Sequence, residues 1–159
     1  MQSPVSDNTA STQQTGFDIS KAEFYSGAAE GSDKYWAEQA RAFGIKVKDY
    51  VVQSYRDLTP EWKNRIEKEY TESRAFLGKP KLTGYAGELT RRDMMQADKA
   101  DAIFAIAERI VKPGETEISN NKAYTNNTNH DNVQGGTANA VARGIIRGIP
   151  VYVFDQSDN

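Results

Sequence analysis

The sequence predicts an α/β fold in which a mainly parallel sheet is doubly wound, with helices on both faces. Three observations carry this. Short apolar runs at residues 22–26, 45–52, 101–107 and 149–155 alternate with longer stretches of helical spacing, the pattern of successive right-handed βαβ units. Glycines stand where a strand hands over to a helix, in Ser26-Gly27-Ala28 ahead of Gly31-Ser32-Asp33 and in Gly135-Gly136-Thr137-Ala138. The runs Asp101-Ala102-Ile103-Phe104-Ala105-Ile106-Ala107 and Ile149-Pro150-Val151-Tyr152-Val153-Phe154-Asp155 are almost continuously apolar, as strands buried on both faces are.

Composition bounds the rest. At 159 residues, 38% of them apolar, the chain is long enough for one core and is read as a single domain over 21–159. Residues 1–20 are rich in Ser, Thr, Gln, Asn and Asp and bury too little to offset the entropy of ordering, so they are expected to be a flexible tail. A net charge of -2 offers no broad basic field to nucleic acid. The absence of cysteine excludes disulfides, thiolate metal sites and cysteine nucleophiles. No apolar run reaches the roughly 20 residues of a membrane span, and no basic-then-apolar leader opens the chain. A cytoplasmic protein is the default expectation.

Along the chain, residues 22–26 are the first strand. Asp33 is placed as the N-cap of a helix whose apolar stripe is Trp36, Ala37, Ala40 and Phe43, ended by Gly44. Residues 45–52 begin with strand alternation. Thr59-Pro60-Glu61 combines a hydroxyl cap, proline in the first turn and an acid, and Trp62, Ile66, Tyr70, Ser73 and Leu77 mark one stripe before Gly78 and Pro80 stop the helix. Residues 81–87 hold two glycines and are assigned to a loop, with Thr90 to Asp93 as a capping box for a helix to about Lys99. Residues 108–134, dense in Asn and Thr, are expected to be a long loop with a short hairpin in it. The final helix opens at Gly135-Gly136, runs through Arg147 and stops at Gly148.

Ligands of parallel sheets bind beyond the carboxyl ends of the strands. That rule collects Ser26-Gly27, Ala107-Glu108, Gly135-Gly136-Thr137 and Asp155-Gln156 on one rim. Glycine at a helix start lets a ligand approach bare backbone N–H groups, so two such turns point to one site for a phosphorylated ligand.

Tyr25-Ser26-Gly27-Ala28 with Gly31-Ser32-Asp33 and Phe43-Gly44-Ile45 resembles the first βα unit of the SLOG superfamily of Rossmann-like nucleotide-binding proteins. Arg91-Arg92-Asp93-Met94-Met95 leading to Ala100-Asp101-Ala102-Ile103 resembles its arginine-containing helix and second core strand. Gly135-Gly136-Thr137-Ala138 and Gly148-Ile149-Pro150-Val151 resemble its phosphate-binding turn and last strand. The pattern is nearest the molybdenum-cofactor-carrier and YpsA-like branch. It covers most of residues 22–156, with 53–82 and 108–132 unmatched. The resemblance implies a nucleotide or nucleotide-like phosphorylated ligand, and self-association into a homo-oligomer. One departure weakens the alternative of a LOG-like phosphoribohydrolase. Those enzymes carry glutamates after a longer glycine motif, where this chain, aligned on Gly136-Thr137, has Asn139 and Ala140. Neither exchanges a proton usefully near neutral pH. A third reading makes residues 108–134 the contact surface of an interaction module.

The ligand-binding residues expected are therefore Ser26, Gly27, Ala28, Gly31, Ser32, Asp33, Arg91, Gly135, Gly136, Thr137 and Asp155. Ser26, Ser32 and Thr137 offer hydroxyls that equally cap helices. Arg91 and Arg92 are the candidate cations; at a helix start either one opposes the helix dipole, which points to an anion partner, and Arg91 is chosen. Asp33 is read as a cap before a base, and Asp155 as a cap or a ribose partner. Glu108 is the acid to test for turnover. His130 lies in a polar loop without metal-ligand spacing, and no metal site is expected.

Overall fold

The computed structural model describes residues 18–27, 32–119 and 121–158. Residues 1–17 of the expected tail, the site candidates Ala28 and Gly31, and the side chain of Ser32 lie outside the described residues.

The chain enters through a 3-10 turn, Ile19–Lys21, whose first residues are held by the Asp18 carboxylate accepting from Ser20 N at 3.0 Å. Strand β1 (Glu23–Ser26), helix α1 (Ser32–Ala42) and strand β2 (Lys46–Asp49) form one βαβ unit with a parallel pair, Phe24 opposite Val47. Helix α1 begins at Ser32, so Asp33 is not its N-cap but an acid in its first turn, where it complements the dipole. Ala37 and Ala40 are buried as expected, but Phe43 is 69% exposed. It falls just past the last helical residue, where Gly44 turns the chain at φ 77°, so the stripe no longer governs its direction.

After the short helix α2 (Val52–Arg56), helix α3 (Pro60–Leu77) has the predicted ends. Thr59 Oγ1 accepts from Trp62 N, and Gly78 closes the helix at φ 65°. Ile66, Tyr70, Ser73 and Leu77 are buried, while Trp62 remains 39% exposed.

Helix α4 spans Gly84–Asp98, which corrects the loop and capping box assigned to this region. Thr90 lies in the helix interior, its hydroxyl bonded to Ala86 O, Gly87 O and the Tyr70 hydroxyl. A threonine satisfied by its own preceding turn is indistinguishable in sequence from a capping one. Two glycines in the first turn cost the helix about 1 kcal/mol each, and packing against α3 through the buried cluster Ile66, Tyr70 and Met94 outweighs that.

Strands β3 (Ile103–Ala107) and β8 (Val151–Asp155) pair in parallel, Ala107 opposite Asp155. Between them the chain forms β4 (Ile110–Val111), the hairpin β5 (Thr116–Ser119) and β6 (Lys122–Thr125), β7 (Asn132–Val133), which pairs with β4, and helix α5 (Thr137–Arg147). The expected hairpin is present. The rest of that segment is organised by buried Asn126, which donates to Val111 O and His130 O at 2.9 Å each and accepts from Thr128 and Asn132. His130 stacks on Phe76 at 4.2 Å.

Among the described residues, strands β3 and β8 are closely covered on one face and partly on the other, where Trp36 of α1 lies 6.2 Å from Phe154. Helix α5 packs on the inner face with Ala138, Val141 and Ala142 against Ala105 and Ala107. Gly144 lets it approach: a Cβ there would lie 2.7 Å from both Ile103 Cδ1 and Val151 Cγ2. On the other face Phe104, Tyr152 and Phe154 are about half exposed. At its far end α5 is tied to the end of α4, since Arg147 Nη1 donates to Ala97 O at 2.5 Å and Ala100 O at 2.7 Å.

The fold is thus mixed α/β with short parallel pairs. The described strands form four separate two-stranded ladders, not one continuous sheet. Strand β1 pairs with β2 and β3 with β8, and residues of both β1 and β3 line a single cavity of about 1100 Å³. Among the described residues, no helix is long and apolar enough to cross a membrane.

Candidate functional site

Two groups of side chains line this cavity. The first is built around the glycine turn before α5. Gly135 adopts φ 85°, which a side chain would disfavour. Gly136 takes the N-cap position with no side-chain cap. The amides of Ala138 and Asn139 turn back to Gly135 O and Gly136 O. Among the described residues the amides of Gly136 and Thr137 have no acceptor. A Cβ added at Gly136 would meet nothing within 4 Å, so packing within the protein does not require glycine there.

Gln134 anchors the turn from behind. Its amide nitrogen donates to Glu108 Oε2 at 2.9 Å, its carbonyl accepts from Arg109 Nε at 2.8 Å, and Arg109 also donates to Thr116 O. Glu108 thereby serves the turn's geometry.

The C-terminal end of α3 supplies the charge. Arg74 is 5% exposed. Its Nε donates to Pro80 O at 2.7 Å and its Nη1 to Asn139 Oδ1 at 3.2 Å, while Asn139 Nδ2 donates to Gly136 O at 2.9 Å. Both acceptors are neutral, no carboxylate among the described residues is in contact with Arg74, and the Glu117 carboxylate acts on it only at longer range. Burial holds its pKa below the usual arginine range. One turn on, past Gly78, Lys79 Nζ is paired with Glu117 Oε1 of β5, both side chains deeply buried. The other oxygen of Glu117 has no partner among the described residues. Arg74, Lys79, Glu117, Gly135, Gly136, Thr137 and Asn139 all line the cavity.

The second group lies where α4 meets the end of β1. Arg92, 8% exposed, donates from Nη1 to Gly27 O at 2.6 Å and Tyr50 O at 3.1 Å, and from Nε to Asp93 Oδ1 at 3.1 Å. Burial pushes the Asp93 carboxyl up to about 7; Arg92 opposes the shift and the Asp33 carboxylate adds to it. Gly27 is required by close approach, since a Cβ would lie 2.5 Å from Asp33 Oδ2 and 2.7 Å from Arg92 Nη1. Asp33, Arg92 and Asp93 line the same cavity as the glycine turn.

The cation chosen from sequence lies apart from the two groups. Arg91 donates to Glu67 Oε2 at 2.6 Å and to Leu82 O at 3.1 Å. It is not among the residues lining the cavity, whereas its neighbour Arg92 is. One residue is about 100° around a helix, and sequence adjacency hid that. Ser26 is buried, with its Oγ donating to Asp33 O at 3.3 Å. Asp155 accepts from Ser157 N and Oγ at 2.9 and 2.6 Å, and the Ser157 hydroxyl holds its carboxyl below the usual range, so it caps the last turn. Arg74 and Glu117 were missed altogether. Arg74 sits beside the apolar stripe of α3 as one more charged helix residue, and only its burial distinguishes it. Among the described residues no group of three or more His, Cys, Asp or Glu could hold a metal ion.

No protein-family model matches this chain, and comparisons with curated proteins and with solved structures found no match either.

Proposed function

We propose that this chain binds a small phosphorylated, nucleotide-like ligand in the cavity, as a carrier, sensor or sequestering protein. The observation that carries the reading is Arg74, a buried cation whose hydrogen-bond acceptors are both neutral, beside the uncapped start of α5. A buried charge with no carboxylate in direct contact is costly, and a helix start adds about half a positive elementary charge of its own. A phosphate placed there satisfies both and meets the amides of Gly136 and Thr137.

In this reading the β1–β2 and β3–β8 pairs are the halves of a doubly wound, Rossmann-like arrangement. The ligand then occupies the crevice between β1 and β3, as at a topological switch point. That agrees with the resemblance to the SLOG superfamily carried by the two glycine turns. Arg92 and Asp33 line the cavity for the remainder of the ligand, and Arg91 has no part. Binding is favoured over N-glycosidic hydrolysis because Asn139 and Ala140 stand where the hydrolases carry acids, and Glu108 is engaged by Gln134.

Titration calorimetry against nucleoside mono- and diphosphates tests the reading. Wild-type protein is expected to bind at least one of them, and Arg74→Met to lose tenfold or more in affinity while still folded. Folded wild-type protein that binds no phosphorylated compound overturns it.

A further inference from the structure

The outer edges of the two parallel pairs differ. Strand β2 carries Lys46, Lys48 and Asp49, and charged residues of this kind protect an open edge from pairing with another chain. Strand β8 ends the other pair and presents Val151-Tyr152-Val153-Phe154 without a charge. Its last residue, Asp155, turns its carboxylate to Ser157 N and Oγ. Ile103 N donates to Pro150 O, and Ile103 stands opposite Val151, so the ladder with β3 uses the backbone of Pro150, Tyr152 and Phe154. The N–H and C=O groups of Val151 and Val153 point the other way, and no strand pairs with them there among the described residues. Beside this edge Phe104, Tyr152 and Phe154 are half exposed, with Phe104 stacked on Tyr152 at 5.0 Å.

We propose that the free edge of β8 is a dimer interface, pairing antiparallel with β8 of a second copy about a two-fold axis at Val153. The occupant follows from the edge itself. With the axis at Val153, the outward-pointing residues Val151 and Val153 meet Asp155 and Val153 of the second copy in hydrogen-bonded pairs. Tyr152 then faces Phe154 of the second copy in the closer, non-hydrogen-bonded pairs, where aromatic neighbours stabilise a sheet. Asp155 falls opposite a valine, so no like charges meet. Each copy has one such edge, and the charged β2 edge opposes further addition. The contact therefore closes as an isologous dimer and does not run on into a fibre. The three half-exposed rings amount to roughly 300 Å², a patch of the size that marks an interaction site. Doubled across the axis this is about 600 Å² before the strands are counted, more than half of the roughly 1,000 Å² that a specific interface needs.

The test is sedimentation equilibrium on the full chain, wild type and variants, with thermal melts to confirm folding. Wild type is expected at twice the 17.7 kDa chain mass at micromolar concentration. Val153→Pro removes an outward N–H and keeps an apolar side chain, whereas Tyr152→Lys and Phe154→Glu put charges at half-exposed positions. Each is expected to weaken dimerisation tenfold or more. An equimolar mixture of Tyr152→Lys and Phe154→Glu is expected to dimerise again, because the introduced ammonium meets the introduced carboxylate across the axis. Tyr152→Lys changes only an exposed ring and decides the matter if Val153→Pro fails to fold. Wild type that stays monomeric up to about 100 μM, a dimer indifferent to folded Tyr152→Lys, or a mixture that does not recover overturns the inference. Monomeric wild type whose Val151 and Val153 amides resist hydrogen exchange also overturns it, and gives the edge to residues 1–17 of the same chain.

Discussion

Arg74 reaches Asn139 across the α3–α5 interface, guanidinium to amide oxygen at 3.2 Å. An acid at 139 would neutralise that cation; the amide orients it and leaves its charge available. The substitution Asn139→Asp is expected to lower affinity for AMP tenfold or more, since an internal carboxylate then competes with phosphate. The melting temperature without ligand should change little, because the new charge pair with Arg74 is offset by loss of the Asn139 Nδ2 hydrogen bond to Gly136 O. Calorimetry and a thermal melt on the same preparation check both; unchanged AMP affinity would show that the charge on Arg74 does not hold the anion.

The two glycine turns should respond in opposite ways. Alanine at Gly27 drives a methyl against Asp33 and Arg92 and is expected to cost about 1–3 kcal/mol, measured by urea denaturation. Gly136 has φ -64° and open space before it, so Gly136→Ala should change stability by less than about 1 kcal/mol. It should nevertheless weaken binding of AMP, because the methyl occupies space a phosphate needs. Equal stability losses would mean that both glycines are there for packing.

Stability should fall as pH rises from about 4 to about 7 because of Asp93, whose carboxyl is pushed up to about 7 in the folded chain against an ordinary 3.8. The folded state holds this proton more tightly than the unfolded state. The contribution is therefore complete below the unfolded pKa and is lost as pH passes the folded one. Burial likewise raises the Glu69 carboxyl, so the diagnostic quantity is the difference between wild type and Asp93→Asn. Melting temperatures across that window should slope less steeply in the variant, and parallel curves would remove Asp93 from the account.

Arg91→Ala is expected to affect folding and not binding. It removes the Arg91 hydrogen bonds to Glu67 and Leu82 O. Glu67 is more than a third exposed, so the loss is discounted to about 1–2 kcal/mol. Arg91, with Lys81, holds the Glu67 carboxyl down to about 2 against 4.5. That pair stabilises the fold above the unfolded value and ceases to as pH falls through the folded one. Acid titration of the variant should show this loss much reduced, with AMP affinity unchanged.

Local signals made much of the fold legible. Thr59-Pro60 and Gly78 delimited α3, and Gly135-Gly136 and Gly148 delimited α5, because caps and left-handed turns are encoded by the residues that form them. The start of α4 was not legible, since Gly84 and Gly87 argue against a helix that tertiary packing imposes. The half-open face of β3 and β8 was hidden for a related reason. Phe104, Tyr152 and Phe154 are apolar whether covered or not, and residue type alone carries no information about how far each is covered. At the site, backbone features were legible and side-chain partners were not. Gly135 and Gly136 line the cavity, whereas the choice among Arg74, Arg91 and Arg92 depended on which carbonyls and carboxylates each one meets in space.

Arg147 clasps the last turn of α4 from the last turn of α5. The far end of the helix that opens at Gly136 is thereby fastened to the end of the helix that carries Arg92. Removing that clasp by Arg147→Met is expected to loosen the end of α4, read as faster amide hydrogen exchange near its C-terminal end than in wild type.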